Sequence, residues 1–516
     1  MAITTVKLPR LAPVALALLA VAPQCHAGWR FTPFVGVTET FTDNVALQPD
    51  EQARSAWIGE VTPGFALTGR TPRLSLAAMT RWHVFAYEGK RMPGTADSVN
   101  QYNANAQARV IDDWLYVDAL ASGGPQSVSA FGPQAAVTGN LWATGNRANV
   151  HTWRVSPYLR HRFGGSADLT VRYLRDSVDA GRNLLGTSEG RTVAASLASG
   201  PSFYTLGWSL DYSKQDLDNK LMGPSSSENA MGTLRLRLSR SFALTASRGY
   251  DRYDFQSLGG RTAGANWAGG FIWAPSSRTS VRASFGHRYF GPSGSLSASH
   301  RRRHSVFNLS YSDEITTARS QFLLPATFDT AAMLDKMFTT SFPDPAARAQ
   351  AVEAYMKVAG LPPTLADSIN YFSNRFMRQK QLHASIGLNG AHGSWLLSAY
   401  DTRREALSLA QSDSQFLGSE LATASQDTRQ RGLSSTYTYR VSSRTSASLS
   451  ALAFRTQSLS TGLAQDTRTV RFGMNHQLSD RMQAAFEVRH ARGASSALNA
   501  KTYTENAVSA TLSIQL

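Results

Sequence analysis

Arginine carries most of the potential chemistry in this chain. It outnumbers lysine severalfold and recurs at alternate positions beside hydroxyl residues. Arg154, Arg172, Arg235, Arg282, Arg288, Arg471 and Arg489 each fall on the polar side of an alternating segment, among Thr152, Ser156, Thr170, Thr233, Ser284, Asn308, Thr436, Thr438, Thr469 and Asn475. A guanidinium group offers a fixed fork of donors that matches carboxylate, phosphate and sulfate. If that polar side lines a wet interior, rings of arginine there favour anions. Arg160 and Arg237 share the pattern but lie beside tight turns, where they mark a rim. The opposing reading is that these arginines pair with Glu60, Asp168, Asp176, Asp211 and Glu487 and simply fill the interior. Both readings stay open from sequence.

Catalytic signals are thin. Gly186-Thr187-Ser188-Glu189-Gly190 fits G-x-S-x-G, but it falls in an outer loop without the strand-to-helix elbow that exposes a nucleophile. His383 and Ser385 share one strand face and Asn389 follows, faintly similar to barrel phospholipases, yet no acid or amide is placed to orient the histidine. Polar lumen residues are the plainer reading of both. No HExxH, cysteine-based metal site or phosphate-binding glycine loop occurs, so no enzyme, metal or cofactor is expected.

The elements that would hold these arginines are short alternating strands. The C-terminal TYTENAVSATLSIQL places Val508, Ala510, Leu512, Ile514 and Leu516 on one face, ending at the last residue as a closing barrel strand does. Tyr204, Leu206, Trp208, Leu210 and Tyr212 alternate in the same way. Such runs recur from Trp29–Phe41 onward, in pairs joined by tight turns such as Thr71-Pro72, Asp112-Asp113 and Gly164-Gly165, then by longer loops. Their lengths suit the roughly 9–11 residues that cross a bilayer at a tilt. Trp29, Trp57, Trp114, Trp208, Trp273 and Trp395 cluster near strand ends, as an aromatic girdle requires and a soluble β-sandwich does not. The fold class is therefore all-β: an antiparallel up-and-down transmembrane β-barrel of about 22 strands with a short helical insertion.

The even count needs one inference. The strong runs are odd in number, and if tight turns are periplasmic, Ser305–Tyr311 and Phe376–Leu388 both run downward. An upward strand should then hide between them, with Thr317–Leu324 the best candidate. The rest of the interval, 326–370, reads as helical. Asp344-Pro345 is an N-cap followed by proline, the run ends at Gly360, and Thr364 with Asp367 makes a capping box. A cap on the rim and a constricting plug or gate are its two readings.

Lys7 and Arg10, the apolar run Leu11–Ala22 and Cys25-His26-Ala27 form a secretory signal peptide over 1–27, leaving 28–516 as the barrel. Gln24 is too bulky for a lipoprotein site at Cys25. With its one cysteine in the leader, the mature chain has no disulfides and must draw stability from closure. Because a strand starts almost at the mature N-terminus, neither the plug domain of a TonB-dependent receptor nor a periplasmic domain is expected ahead of it. Of the formal charge of +16, Lys7 and Arg10 supply two, leaving +14. An outer-membrane location removes nucleic acid as a partner. Membrane lipid, lipopolysaccharide, the barrel assembly machinery, anionic polysaccharide and periplasmic export proteins remain. Genomic base composition explains the arginine excess equally well.

WRFTPFVGVTETFTDNV at Trp29–Val45, YSDEITTARSQFLLP within Ser310–Pro325, the following FPDPAARAQAV and NRFMRQKQLHASIGLNG resemble the outer-membrane β-barrel proteins associated with PEP-CTERM/exosortase systems. The resemblance covers essentially the whole mature chain. It implies a porin-like barrel serving exopolysaccharide export, with no catalytic residues to carry over. Leu516 departs from the terminal aromatic common in barrel proteins. Two functions follow as expectations: a passive channel for anionic glycan or other anionic solutes, or a non-conducting barrel anchoring surface polysaccharide or sorted proteins.

Overall fold

The computed structural model describes residues 28–89, 92–135, 139–180, 187–219, 223–255, 258, 262–323, 370–373, 375–408, 413, 417–496 and 502–516. The leader, and all of the expected helical insertion except residue 370, lie outside the described residues.

Twenty-two antiparallel strands form one sheet, each paired with its neighbours in chain order. The first six are β1 (Trp29–Thr42), β2 (Ala56–Arg70), β3 (Leu74–Tyr87), β4 (Ser98–Ile111), β5 (Leu115–Ser127) and β6 (Arg147–Phe163). Then come β7 (Ala167–Asp179), β8 (Thr187–Ser199), β9 (Leu206–Asn219), β10 (Gly223–Arg237), β11 (Phe242–Asp254) and β12 (Ala263–Ser276). β13 (Thr279–Arg288), β14 (Gly291–Arg301), β15 (Ser305–Thr317), β16 (Phe376–Asn389) and β17 (Gly393–Ala406) follow. The last are β18 (Asp427–Arg440), β19 (Thr445–Ser458), β20 (Ala464–Gln477), β21 (Met482–Ser495) and β22 (Thr502–Gln515). β22 returns to β1, from Thr42↔Ala507 to Phe34↔Gln515, and closes the cylinder. Closure gives every strand two partners, the only way a sheet satisfies its backbone inside hydrocarbon.

Short turns gather at one end, where the described residues also begin and finish: the Arg70 N–H donates to Gly28 O, and the Leu516 N–H to Pro33 O. Two of these turns need a left-handed residue. Asp113 supplies it at φ 61° and Gly164 at φ 58°, the residue types that tolerate it best.

Contacts that cross the cylinder identify its inner wall. Arg319, just after β15, donates to the Asp176 carboxylate on β7 and to Ser188 Oγ on β8. Such a chord exists only inside. Strict alternation and continuous register then assign the other residues. Leu210, Phe271 and Leu512 face outward, with 56%, 36% and 38% of their surface exposed. Trp57, Trp114, Trp273 and Trp395 are also exposed on the outer wall. Inward hydroxyls pair across strands, as in Thr38–Thr511 at the closing seam (2.9 Å) and Ser122–Thr152 (2.7 Å).

The hidden strand is not where sequence parity put it. It is β14, upstream of β15, so β15 runs away from the short-turn end instead of toward it. Its outward positions are Pro292, Gly294, Leu296, Ala298 and His300, too weakly apolar for the alternation to register. The strand expected over Thr317–Leu324 does not form at the described residues 318–323. β15 ends at Thr317, and Ala318–Leu323 is helix α1. Thr317 Oγ1 accepts the Ser320 N–H while Ser320 Oγ accepts the Thr317 N–H, both at 3.0 Å. This reciprocal cap breaks the strand.

Side-chain orientation can be tested on one strand. Leu210→Arg, on the lipid wall, should cost about 2–4 kcal/mol of unfolding free energy in lipid vesicles. Ser213→Arg, on the inner wall of the same strand, should cost less than about 1 kcal/mol. Denaturant titration of both variants measures the difference.

Candidate functional site

The inner wall carries all seven arginines singled out from the sequence, and they divide by partner. Arg172 donates to Asp118 (3.0 Å) and Ser156 (2.8 Å) and lies 4.1 Å from the Tyr158 ring centre. Arg288 donates to the fully buried Asp251 (2.8 Å). Arg489 grips Glu505 through two nitrogens (3.0 and 3.2 Å) and lies 3.5 Å from Glu487. Arg154, Arg235 and Arg282 have no carboxylate partner among the described residues. Gly207, opposite Arg235, leaves room for its guanidinium: a Cβ there would come within 3.0 Å of it. Arg471 faces Gly139 of an inward loop in the same way, at 3.0 Å.

Of the acids proposed to neutralise them, only Glu487 meets one of the seven. Asp176 pairs with Arg319, Asp168 with Arg162 (2.9 Å) and Glu60 with His83 (2.5 Å). Asp211 accepts from Ser196 and Ser209. Neither sequence reading holds alone. The wall mixes neutralised arginines with others whose charge is uncompensated.

Toward the long-loop end, the wall changes character and is covered from inside. Apolar side chains appear on the inward face there, including Ile58, Phe85, Val150 and Val178. They pack against connecting segments folded into the cylinder. The described parts of the connection from β5 to β6, residues 128–135 and 139–146, reach far around the ring. Trp142 is buried against Phe85, its Nε1–H donates to Val45 O (3.0 Å), and Arg489 lies 5.6 Å from its ring centre. Phe131 of the same connection packs with Tyr371 and with Ala424 of helix α2 (Ser419–Ala424). Phe322 and Leu323 of α1 pack with Phe372 against Val150 and Val178. Together these segments form an inward-packed cluster in the mouth of the barrel, called the plug below.

Polar latches pin the plug. Besides Arg319 on Asp176 and Ser188, Arg375 donates to Asp413 (3.3 Å). Arg404, 1% exposed, donates to Gln379 (2.8 Å) and to Gln321 of α1 (2.9 Å), and lies 5.0 Å from the Tyr371 ring centre. Sequence reasoning missed Arg319, Arg375, Arg404 and Trp142, because their roles are set by segments from about 25 to well over 100 residues away in the chain. The only hint was Trp142, a tryptophan placed on no strand.

The suggested serine motif is reassigned. Ser188 lies within β8, not in a loop, and its hydroxyl accepts from Arg319. His383 and Ser385 do face inward on β16, and Asn308 Nδ2 lies 3.4 Å from Ser385 Oγ. Among the described residues, no cluster of three or more His, Cys, Asp or Glu could hold a metal ion. Outside the spanning strands, burial pushes the Tyr289 hydroxyl above the ordinary phenol range. It stays neutral.

No protein-family model matches the chain. No curated protein matches it. Among solved structures, it is similar to the siderophore receptor PirA from Pseudomonas aeruginosa, at 10% identity over 94% of this chain and 80% of that one, TM-score 0.45. A mutant of the ferric enterobactin receptor PfeA from the same organism, in complex with enterobactin, gives 10% identity over 95% and 82%, TM-score 0.47. OmpT, an outer membrane protein of Vibrio cholerae, gives 8% over 96% and 99%, TM-score 0.32. The chain's own closed wall, apolar outside and polar within, is that of an outer-membrane β-barrel.

The buried latch makes a quantitative prediction. Asp176→Ala strands the Arg319 charge and should cost about 3–5 kcal/mol locally. Amide exchange at Phe372, whose N–H donates to Val128 O, should accelerate by roughly a hundredfold or more. Arg319→Ala should do the same, and the double variant should cost much less than the sum.

Proposed function

We propose that this protein is an outer-membrane channel for anionic solutes, closed at rest by its own inward-folded segments. The observation that carries the reading is the combination of a hydroxyl and guanidinium lumen with a plug held by charged latches. A barrel that only needed filling would be served by apolar packing alone, since replacing a buried ion pair with hydrophobic residues is often neutral or stabilising. Charged latches instead make opening sensitive to a competing anion, which can take over the arginine partner.

The cargo we assign is an anionic glycan, and the setting is exopolysaccharide export alongside PEP-CTERM/exosortase functions. Support comes from Arg154, Arg235 and Arg282, whose charge faces the lumen without a carboxylate partner among the described residues, and from the family resemblance of Trp29–Val45 and Ser310–Pro325. A long polymer suits these fixed forks because each one holds a carboxylate or sulfate in turn. Nothing in this role calls for catalysis. Periplasmic export proteins would deliver the polymer. The runner-up role, a non-conducting anchor for surface polysaccharide, draws its support from the apolar packing of Phe131, Tyr371 and Ala424 in the mouth.

Planar-bilayer recording separates the two. The wild type should open rarely and pass chloride more readily than potassium. Removing the latch with Asp176→Ala and Arg319→Ala should favour opening. A loss of about 3 kcal/mol shifts the closed-to-open ratio by roughly a hundredfold. Replacing Arg154, Arg235 and Arg282 with glutamine should reduce the anion preference. Silence in wild type and latch variant alike would leave the anchor role, and cation selectivity would remove the anionic cargo.

A further inference from the structure

The outer wall of β16–β21 breaks a pairing rule repeatedly. In cross-strand register, Lys380 faces Arg403, Arg403 faces Arg429, Arg431 faces Arg455, and Arg468 faces Arg492. By alternation all seven project away from the lumen, since Tyr400, Gln430, Phe454 and Thr467 beside them point inward. Like charges directly opposite each other in a sheet sit about 4.5–5.5 Å apart at Cβ and destabilise it. The wall holds some compensation of its own. Asp401 accepts from Arg429 (2.6 Å) and Arg431 (3.2 Å), Glu405 accepts from Arg403 (2.8 Å), and Asp466 lies 3.9 Å from Arg455. Arg468 and Arg492 face one another with no carboxylate partner among the described residues.

The cluster's height on the wall says what could supply the missing charge. It occupies the long-loop ends of these strands. Directly below it the same wall exposes Leu433, Leu449, Val470 and Phe472. An open groove of about 380 Å³ passes Arg431, Arg455 and Arg468, with Asp401 and Asp466 between them, and reaches down to Leu433 and Ala453. A ligand here must therefore be anionic at the headgroup level and oily just beneath. Arginine forks match phosphate with two bonds each, and basic clusters at this depth bind phosphorylated headgroups.

We propose that this face is a binding site for a phosphorylated glycolipid of the outer leaflet, its phosphates bridging the opposed arginines and its acyl chains lying over Leu433 and Val470. The site is independent of the lumen and of what the channel carries. Seated there, the lipid relieves the repulsion between paired strands and staples β17–β21 from outside.

The test uses the folded full-length barrel in detergent, with hexa-acylated, bisphosphorylated lipid A as probe and its dephosphorylated counterpart beside it. Binding is read by native mass spectrometry and by the temperature at which the folded band is lost on a gel. Bisphosphorylated lipid A should bind and raise that temperature, and the dephosphorylated lipid should bind at least tenfold more weakly. The variant Arg431→Gln, Arg455→Gln, Arg468→Gln, Arg492→Gln should lose at least tenfold in binding while migrating as a folded barrel without lipid. Lys214→Gln, on β9 of the outer wall, should leave binding unchanged. Equal binding of the two lipids, or full binding by the quadruple variant, would overturn the proposal. If the quadruple variant does not fold, the pair Arg468→Gln, Arg492→Gln must show the same loss, or the site is rejected.

Discussion

Backbone hydrogen bonding in hydrocarbon is the constraint from which the rest of this structure follows. A sheet that enters a bilayer cannot leave an edge, because each unpaired N–H and C=O there costs several kcal/mol. The pairing of β22 with β1 removes that edge. Closure then dictates alternation, since each strand has one wall in lipid and one in the interior. It also explains how a chain whose one cysteine is Cys25 stays folded without a disulfide of its own.

Closure creates a second problem, a wide interior that must be filled or put to use. This chain fills the mouth with its own connections and leaves arginines and hydroxyls below. The inward face therefore changes composition along its height, from Ile58, Phe85 and Val178 under the plug to Arg172, Arg235 and Arg282 beyond it. The plug is held both by apolar contacts, which cannot respond to a solute, and by guanidinium–carboxylate pairs, which can. The arginines of the outer wall serve a separate purpose, at the boundary with lipid instead of within the lumen.

The barrel was largely legible in the sequence because its signal has period two and is local. The strand count came out right even though one strand was misplaced. β14 escaped notice because it presents only Leu296 and Ala298 as apolar outward residues, and α1 was mistaken for a strand because Phe322 and Leu324 alternate by accident. The inward orientation of Arg154, Arg172, Arg235, Arg282, Arg288, Arg471 and Arg489 was readable for the same reason as the strands. Their partners were not. Asp118, Asp251 and Glu505 come from strands one or two places away, whose register depends on turn lengths, and the plug depends on chords such as Arg319 to Asp176 that no local pattern encodes. Charged residues on the outer wall were also overlooked, because alternation was read for its apolar members alone.

Single-cysteine labelling tests the division of the wall most directly, with Cys25, the one native cysteine, replaced by serine. Cysteine placed at Thr170 or Ser284 should react with a charged, membrane-impermeant thiol reagent in intact vesicles. Cysteine at the adjacent Val171 or Phe285 should stay unreacted until detergent is added. The reverse pattern, or equal labelling at neighbouring positions, would contradict a wet, arginine-bearing interior and with it the channel.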